Sequence, residues 1–174
     1  MINDWPNPDG SVGTYDKVPT KIAYSANGTI ERWGYNVRAK DASCKWIKLM
    51  LDPSQKYFAN SLERREGSDQ LNKVGKTAED VVTDYLRCLW GHTVEHLKRK
   101  TRLDFQVAYT VKVVLTVPAL WSELAKARTL RAARLAGFPA ESELVAEPEA
   151  AVLGLLKGKA DELGIKVRLL PSLL

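Results

Sequence analysis

The stretch 111–156, VKVVLTVPALWSELAKARTLRAARLAGFPAESELVAEPEAAVLGLL, constrains the fold more than any other part of the chain. It opens on an apolar run, Val111 to Val117, rich in β-branched residues and ended by Pro118. Such a run predicts a strand buried on both faces, and the proline ends it because it has no N–H to give to a ladder. Ser122 then stands as the N-cap of a helix running to about Ala136, with Gly137 as its stop. A second short strand is predicted at Glu143 to Ala146, and Pro148 sits where the first turn of another helix accepts a proline. Strand, helix, strand, helix at this spacing is a βαβα unit, which requires a parallel sheet with helices packed over it.

Parallel sheets bind ligands at the carboxyl ends of their strands. Here those ends are Thr116-Val117-Pro118 and Ala146-Glu147-Pro148. The first offers carbonyls and a hydroxyl, the second a carboxylate at a strand-to-helix turn. Glu147 has two readings: a group that positions a hydrated cation or a water, or a first-turn glutamate complementing the helix dipole.

Several residues of this stretch recur together in one family. Val117-Pro118-Ala119, Trp121, Ala136-Gly137 and Glu147-Pro148-Glu149-Ala150-Ala151 follow its V-P-A-x-[FW] step, its helix ending in A-G and its E-P-x-A-A turn. On these motifs the chain resembles the nucleotide-binding domain of the heat shock protein 70 family, and looks closest to the divergent branch of fungal and A12-type members. The resemblance implies an α/β, actin-like ATPase (ribonuclease H-like) fold, present as part of the first lobe, with a mixed sheet and flanking helices.

Composition adds limits. A chain of 174 residues, 45% apolar and 27% charged, has material for one domain with a real core. Cys44 and Cys88 lack metal-ligand spacing and read as reduced thiols, which fits a cytoplasmic protein. The opening MINDWPNPDG has no apolar leader run, and no stretch is apolar enough to span a membrane. The net charge of +5 gathers at Lys98 to Arg102 and along Lys126, Arg128, Arg131 and Arg134. Solvated helix faces account for these charges more economically than a nucleic-acid patch. Neither nucleic acid nor membrane is therefore expected as a partner.

In chain order, residues 1–16 read as an irregular lead-in. Lys17 to Ser25 and Thr29 to Gly34 predict a hairpin turning at Ala26-Asn27-Gly28, with Val18, Thr20, Ile22 and Tyr24 on one face. Its Val18-Pro19-Thr20 step is similar to the family's extended pair that follows the first phosphate loop. Lys45 to Asp52 predicts a short helix with Trp46, Leu49 and Met50 on its apolar face and Pro53 beyond its end. Residues 53–76 are polar without a pattern and read as a surface loop.

Thr77 caps a long helix to about Lys100, with Asp80 at the capping-box position and an apolar arc from Val81 to Leu97. Within it, His92 to His96 spells H-x-x-E-H, an inverted zinc-peptidase motif with Glu95 as its general base. Both histidines fall at the edge of the apolar arc and the chain holds no third, so partly buried structural histidines are the expected reading.

The resemblance assigns the remaining roles. Residues 17–157 would form the partial nucleotide-binding domain, with 158–174 as a divergent tail. Lys48 is similar in position to the family's phosphate-facing catalytic lysine, and Glu147 to the glutamate that holds magnesium through water. Pro118 resembles the family's interdomain switch proline. Lys126 falls near its coupling arginine, although lysine lacks the bidentate fork. ATP and Mg are the implied cofactors. The family hydrolyses ATP, but neither its D-x-G-G-G-T-type phosphate loops nor its second lobe appears in these 174 residues. The expectation is an ATP-binding fragment of a chaperone of this type that does not hydrolyse alone. The alternative is a non-catalytic interaction or regulatory module that keeps the fold without the nucleotide. A lobe cut through its sheet also leaves an open edge, so self-association or pairing with another protein is expected.

Overall fold

The computed structural model describes residues 2–7, 15–52, 54, 61–102 and 105–162. Part of the lead-in, Pro53, the start of the polar loop at 55–60 and the tail from 163 onward lie outside the described residues.

The chain is mixed α/β. The expected hairpin is present as β1 (Ile22–Tyr24) and β2 (Ile30–Trp33), antiparallel, with Gly28 at φ +77 in the turn. Strand β3 (Ser43–Cys44) adds to the other side of β1, giving the order β2-β1-β3. Ile22 and Ala23 are both buried, so the middle strand is covered on both faces rather than on one.

The βαβα unit lies where the sequence puts it. Strand β4 (Val114–Val117) pairs in parallel with β5 (Glu143–Ala146), bringing Val117 level with Ala146. Between them runs α5 (Glu123–Leu135), capped by Ser122, whose hydroxyl accepts from the Ala125 N–H. Gly137 follows at φ +93, a conformation that a Cβ would strain. Helix α6 (Glu147–Glu162) starts directly from β5.

Three expectations need correction. Strand β4 is not buried on both faces: Val111, Val113, Leu115 and Val117 turn inward while Lys112, Val114 and Thr116 are exposed. A two-stranded sheet has one covered face, and the period of two follows from it. The strands also form two small sheets, one antiparallel and one parallel, instead of a single mixed one. The polar stretch read as a loop contains a helix, α2 (Leu62–Val74), capped by Ser61 and closed by Gly75 at φ +65. It buries little besides Leu71 and Gly67, and a Cβ at Gly67 would stand 2.5 Å from Met50 Sδ. Its 13 residues carry only Leu62, Leu71 and Val74 as large apolar side chains, too few to mark a face in so polar a stretch.

The long helix is α3 (Ala78–Thr101), closed at its start by the full capping box: Asp80 N–H to Thr77 Oγ1 at 3.1 Å and Thr77 N–H to Asp80 Oδ2 at 2.9 Å. A short α4 (Phe105–Ala108) follows it. Helix α3 is the spine of the fold. Val81, Val82 and Tyr85 pack with Ile22, Val117 and Trp121 in the main core. One turn further on, Trp90 stacks on Phe138 at 4.9 Å in a second core with Ala133 and Ala136. Ala125, Ala132, Ala133 and Ala136 keep the buried side of α5 small, which lets its backbone approach α3.

Candidate functional site

The site builds from α1 (Ile47–Met50) and the carboxyl ends of the parallel pair. Helix α1 is shorter than expected, and its apolar face differs. Trp46 sits at φ +58, outside the helix and 51% exposed, while Ile47 and Leu51, four residues apart, are the ones buried. Driving Ile47 and Leu51 into the core turns Lys48 outward toward the strand ends.

There it meets Glu147. Lys48 Nζ and Glu147 Oε1 lie 2.6 Å apart across 99 residues of sequence, each side chain about half exposed (45% and 47%). Lys48 Nζ also stands 6.0 Å from the centre of the Trp121 ring. The helix-dipole reading of Glu147 holds, since it is the first residue of α6, and the cation that it faces is the Lys48 ammonium. Pro118 follows Val117 at the same sheet end, where its carbonyl accepts from the Trp121 N–H at 3.2 Å. Lys126 is not part of this group. It pairs with Glu123 on its own helix, Nζ to Oε1 at 2.7 Å.

The platform under the pair depends on a residue that the sequence reading missed. The Asp52 carboxylate, fully buried, accepts from Ser122 N–H (3.0 Å), Ser122 Oγ (3.0 Å), Ser54 N–H (3.2 Å) and Ser54 Oγ (2.6 Å). It ties the end of α1 to the start of α5, and Arg128 adds a bond to the Leu51 carbonyl at 3.2 Å. An aspartate at a helix end before proline looks like a stop signal, and nothing local shows what it holds. A second unforeseen hub is Asp84, which accepts from Tyr24, Lys76 and Arg87. Burial first, and then Asp84, push the Tyr24 phenol well above its ordinary range.

Two hollows flank Lys48. One, of about 160 Å³, runs beneath it between Thr20, Leu86, Thr116 and Trp121. The other, of about 430 Å³, is lined by Thr20, Lys21, Lys45, Trp46, Lys48 and Leu49. Thr20 of the Val18-Pro19-Thr20 step borders both.

The H-x-x-E-H stretch is engaged elsewhere. His96 Nδ1 lies 2.7 Å and His92 Nε2 3.7 Å from Asp4 Oδ1, Arg99 holds the other Asp4 oxygen at 3.1 Å, and Trp5 stacks on His92 at 5.1 Å. The histidines dock the N-terminal segment onto α3. Among the described residues no group of three His, Cys, Asp or Glu is arranged to hold a metal ion. Burial pushes the Cys44 thiol up to about 11 and also raises that of Cys88, which disfavours the thiolate at both. No described helix is long and apolar enough to cross a membrane.

No family model matches the sequence. Among curated proteins, heat shock 70 kDa protein 12B of Homo sapiens is 28% identical over 162 residues, which cover 87% of this chain and 23% of that protein. The chain thus spans less than a quarter of the relative's length, and over most of its own length it is distantly similar to a protein named for the heat shock 70 kDa class.

Proposed function

We propose that the chain is the nucleotide-binding part of a heat-shock-protein-70-like ATPase, from the divergent branch of fungal and A12-type members. Residues 17–157 then correspond to part of the first lobe of an actin-like, ribonuclease H-like domain acting in the cytoplasm. The observation that carries this reading is the meeting of Lys48 and Glu147 at 2.6 Å, from two distant segments, at the carboxyl ends of a parallel pair. The ligand is ATP with magnesium. Lys48 would face phosphate, a role that suits a compact point charge. Glu147 fits magnesium held through water, because one half-exposed carboxylate suits a cation that keeps most of its hydration shell. When bound, the metal would neutralise phosphate charge. Pro118, at the same strand end, is assigned to relaying nucleotide state, and Lys126 to a coupling contact. Among the described residues one lysine and one carboxylate meet at the site, and phosphoryl transfer needs charge and positioning on several sides of the phosphate. Binding without hydrolysis is the activity assigned to the chain by itself.

One observation favours a second reading. Lys48 and Glu147 satisfy each other directly, so the pair needs no nucleotide to balance its charges. On that reading the chain is an interaction or regulatory module. The test is the melting midpoint with and without millimolar Mg-ATP, for the wild type and for Lys48→Ala. A ligand at a hundredfold its Kd contributes about 2.7 kcal/mol to the folded state, a rise of several degrees in a chain of this size. A rise that Lys48→Ala abolishes supports the nucleotide site. No rise in the wild type overturns it in favour of the module.

A further inference from the structure

We propose that the hollow beside Trp46 binds a small aromatic phosphate, its ring on the Trp46 indole and its phosphate among Lys21 and Lys45. Trp46, Lys21 and Lys45 carry the proposal; Lys48 also lines the hollow, but it is already paired with Glu147.

Three observations converge. The first is conformational. Trp46 holds φ +58, ψ 15, a backbone state that a bulky residue seldom adopts, and its side chain caps no helix N–H. The indole is 51% exposed and stacks on no other ring or cation among the described residues. The fold holds a large apolar ring in solvent by an unfavoured backbone, where burying it would stabilise the chain.

The second is shape. The hollow of about 430 Å³ falls within the range of small-ligand sites. It is lined by Trp46, Leu49, Thr20 and three lysines, Lys21, Lys45 and Lys48, whose side chains join apolar stems to cationic ends.

The third is charge. Lys21 and Lys45 make no ion pair among the described residues, and the slot is lined by no carboxylate. The adjoining groove, on the flank of Lys45 and Trp46 toward α2, gathers Asp41, Glu66 and Asp69 with Lys45 and Lys73. Lys45 borders both hollows, so among the described residues the carboxylates lie on the α2 side of Trp46, while the slot holds Lys21, Lys45 and the Glu147-paired Lys48. A planar ring stacks on indole whatever its edge pattern, and a phosphate takes point charges from lysine. A ring and a phosphate in one small molecule fit the slot, and a neutral or cationic molecule does not.

The test is calorimetric titration of the whole chain with AMP and with phenyl phosphate, each against adenosine and inorganic phosphate. The two aromatic phosphates separate a nucleotide source from an aryl phosphate one, and saturable binding of either supports the proposal. Inorganic phosphate, which lacks the ring, is expected to bind at least about fivefold more weakly, the lower bound for a lost stacking partner, and adenosine, which lacks the phosphate, is expected to bind more weakly than AMP. Trp46→Asn, chosen because asparagine tolerates the left-handed conformation, should weaken binding by at least about fivefold. The double variant Lys21→Gln/Lys45→Gln should do likewise, and it keeps the test alive if Trp46→Asn fails to fold. Binding of either aromatic phosphate should be the same with and without magnesium, which separates this slot from the magnesium–phosphate site. No saturation by either aromatic phosphate overturns the proposal, as does equal binding by a folded Trp46→Asn protein or by the lysine double variant.

Discussion

Removing the Asp52 carboxylate should cost the chain more than any surface change near the site. Asp52 is wholly buried and accepts from the backbone N–H and hydroxyl of both Ser122 and Ser54. In Asp52→Ala the two hydroxyls can turn to other acceptors, but the Ser122 N–H cannot, and a cavity opens between α1 and α5. An orphaned buried donor costs about 1–3 kcal/mol, and breaking a buried charged network reaches about 3–5 kcal/mol. Against a total stability of about 5–15 kcal/mol, the loss of about 3–5 kcal/mol is a fifth of the whole or more. Asp52→Asn keeps the shape and one acceptor but sets an amide N–H₂ against a donor, so it should fall between alanine and wild type. Ser122→Ala loses the bond to the Ala125 N–H and one bond to Asp52, while the backbone N–H at 122 stays paired. Its cost should be near that of a lost N-cap, about 1 kcal/mol. Urea unfolding followed by circular dichroism measures all three. The order expected is alanine at 52, then asparagine at 52, then alanine at 122. An Asp52→Ala protein within about 1 kcal/mol of wild type would refute the tie, because orphaned donors at a buried site cannot be that cheap.

Burial holds His92 below its ordinary pKa, against the pull of Asp4, so the folded state keeps it neutral where the unfolded chain protonates it. That contribution is complete above about 6.5 and is lost as pH falls through the folded value. The melting midpoint should therefore drop between pH 7.5 and 5, and His92→Gln should flatten that part of the profile; an unchanged slope in the variant would place the pH dependence elsewhere. The two-stranded sheet β4-β5 leaves open edges, and α6 exposes Val152, Leu155 and Leu156 at 54%, 68% and 55%. Self-association is expected in sedimentation at micromolar concentration and should decrease in Leu155→Glu; a monomer of 19.4 kDa at all concentrations would remove it.

The parts legible in the sequence are those with punctuation at both ends. Pro118, Ser122, Gly137 and Pro148 fix the βαβα unit because each has one physical use at its position, and Thr77 with Asp80 does the same for α3. Helix α2 carries comparable marks, Ser61 and Gly75, but its interior is so polar that the few apolar residues, Leu71 among them, do not stand out, and composition alone reads as a loop. Trp46 misled for the opposite reason. An aromatic residue one turn from Leu49 and Met50 has the spacing of a buried face, and only a positive φ, invisible in composition, turns it outward. Strand-end position singled out Glu147 and resemblance singled out Lys48, each by itself. No local rule says that residues 99 positions apart will touch; the packing of Ile47 and Leu51 under α1 brings them together.

Magnitudes separate what holds this region from what it offers to a ligand. The Lys48–Glu147 pair joins two half-exposed side chains, and such pairs contribute about 0–1 kcal/mol, less in salt. A link that weak does not hold α1 against the strand ends; the buried network of Asp52 and Ser122 does. The two charges are therefore not needed as a strut. A phosphate arriving with a hydrated cation would exchange the lysine–carboxylate contact for lysine–phosphate and carboxylate–cation contacts, leaving no charge unpaired and opening only a cheap interaction. A rigid platform beneath an easily opened ion pair is the arrangement that a binding site requires, because positioning comes from groups the ligand never disturbs.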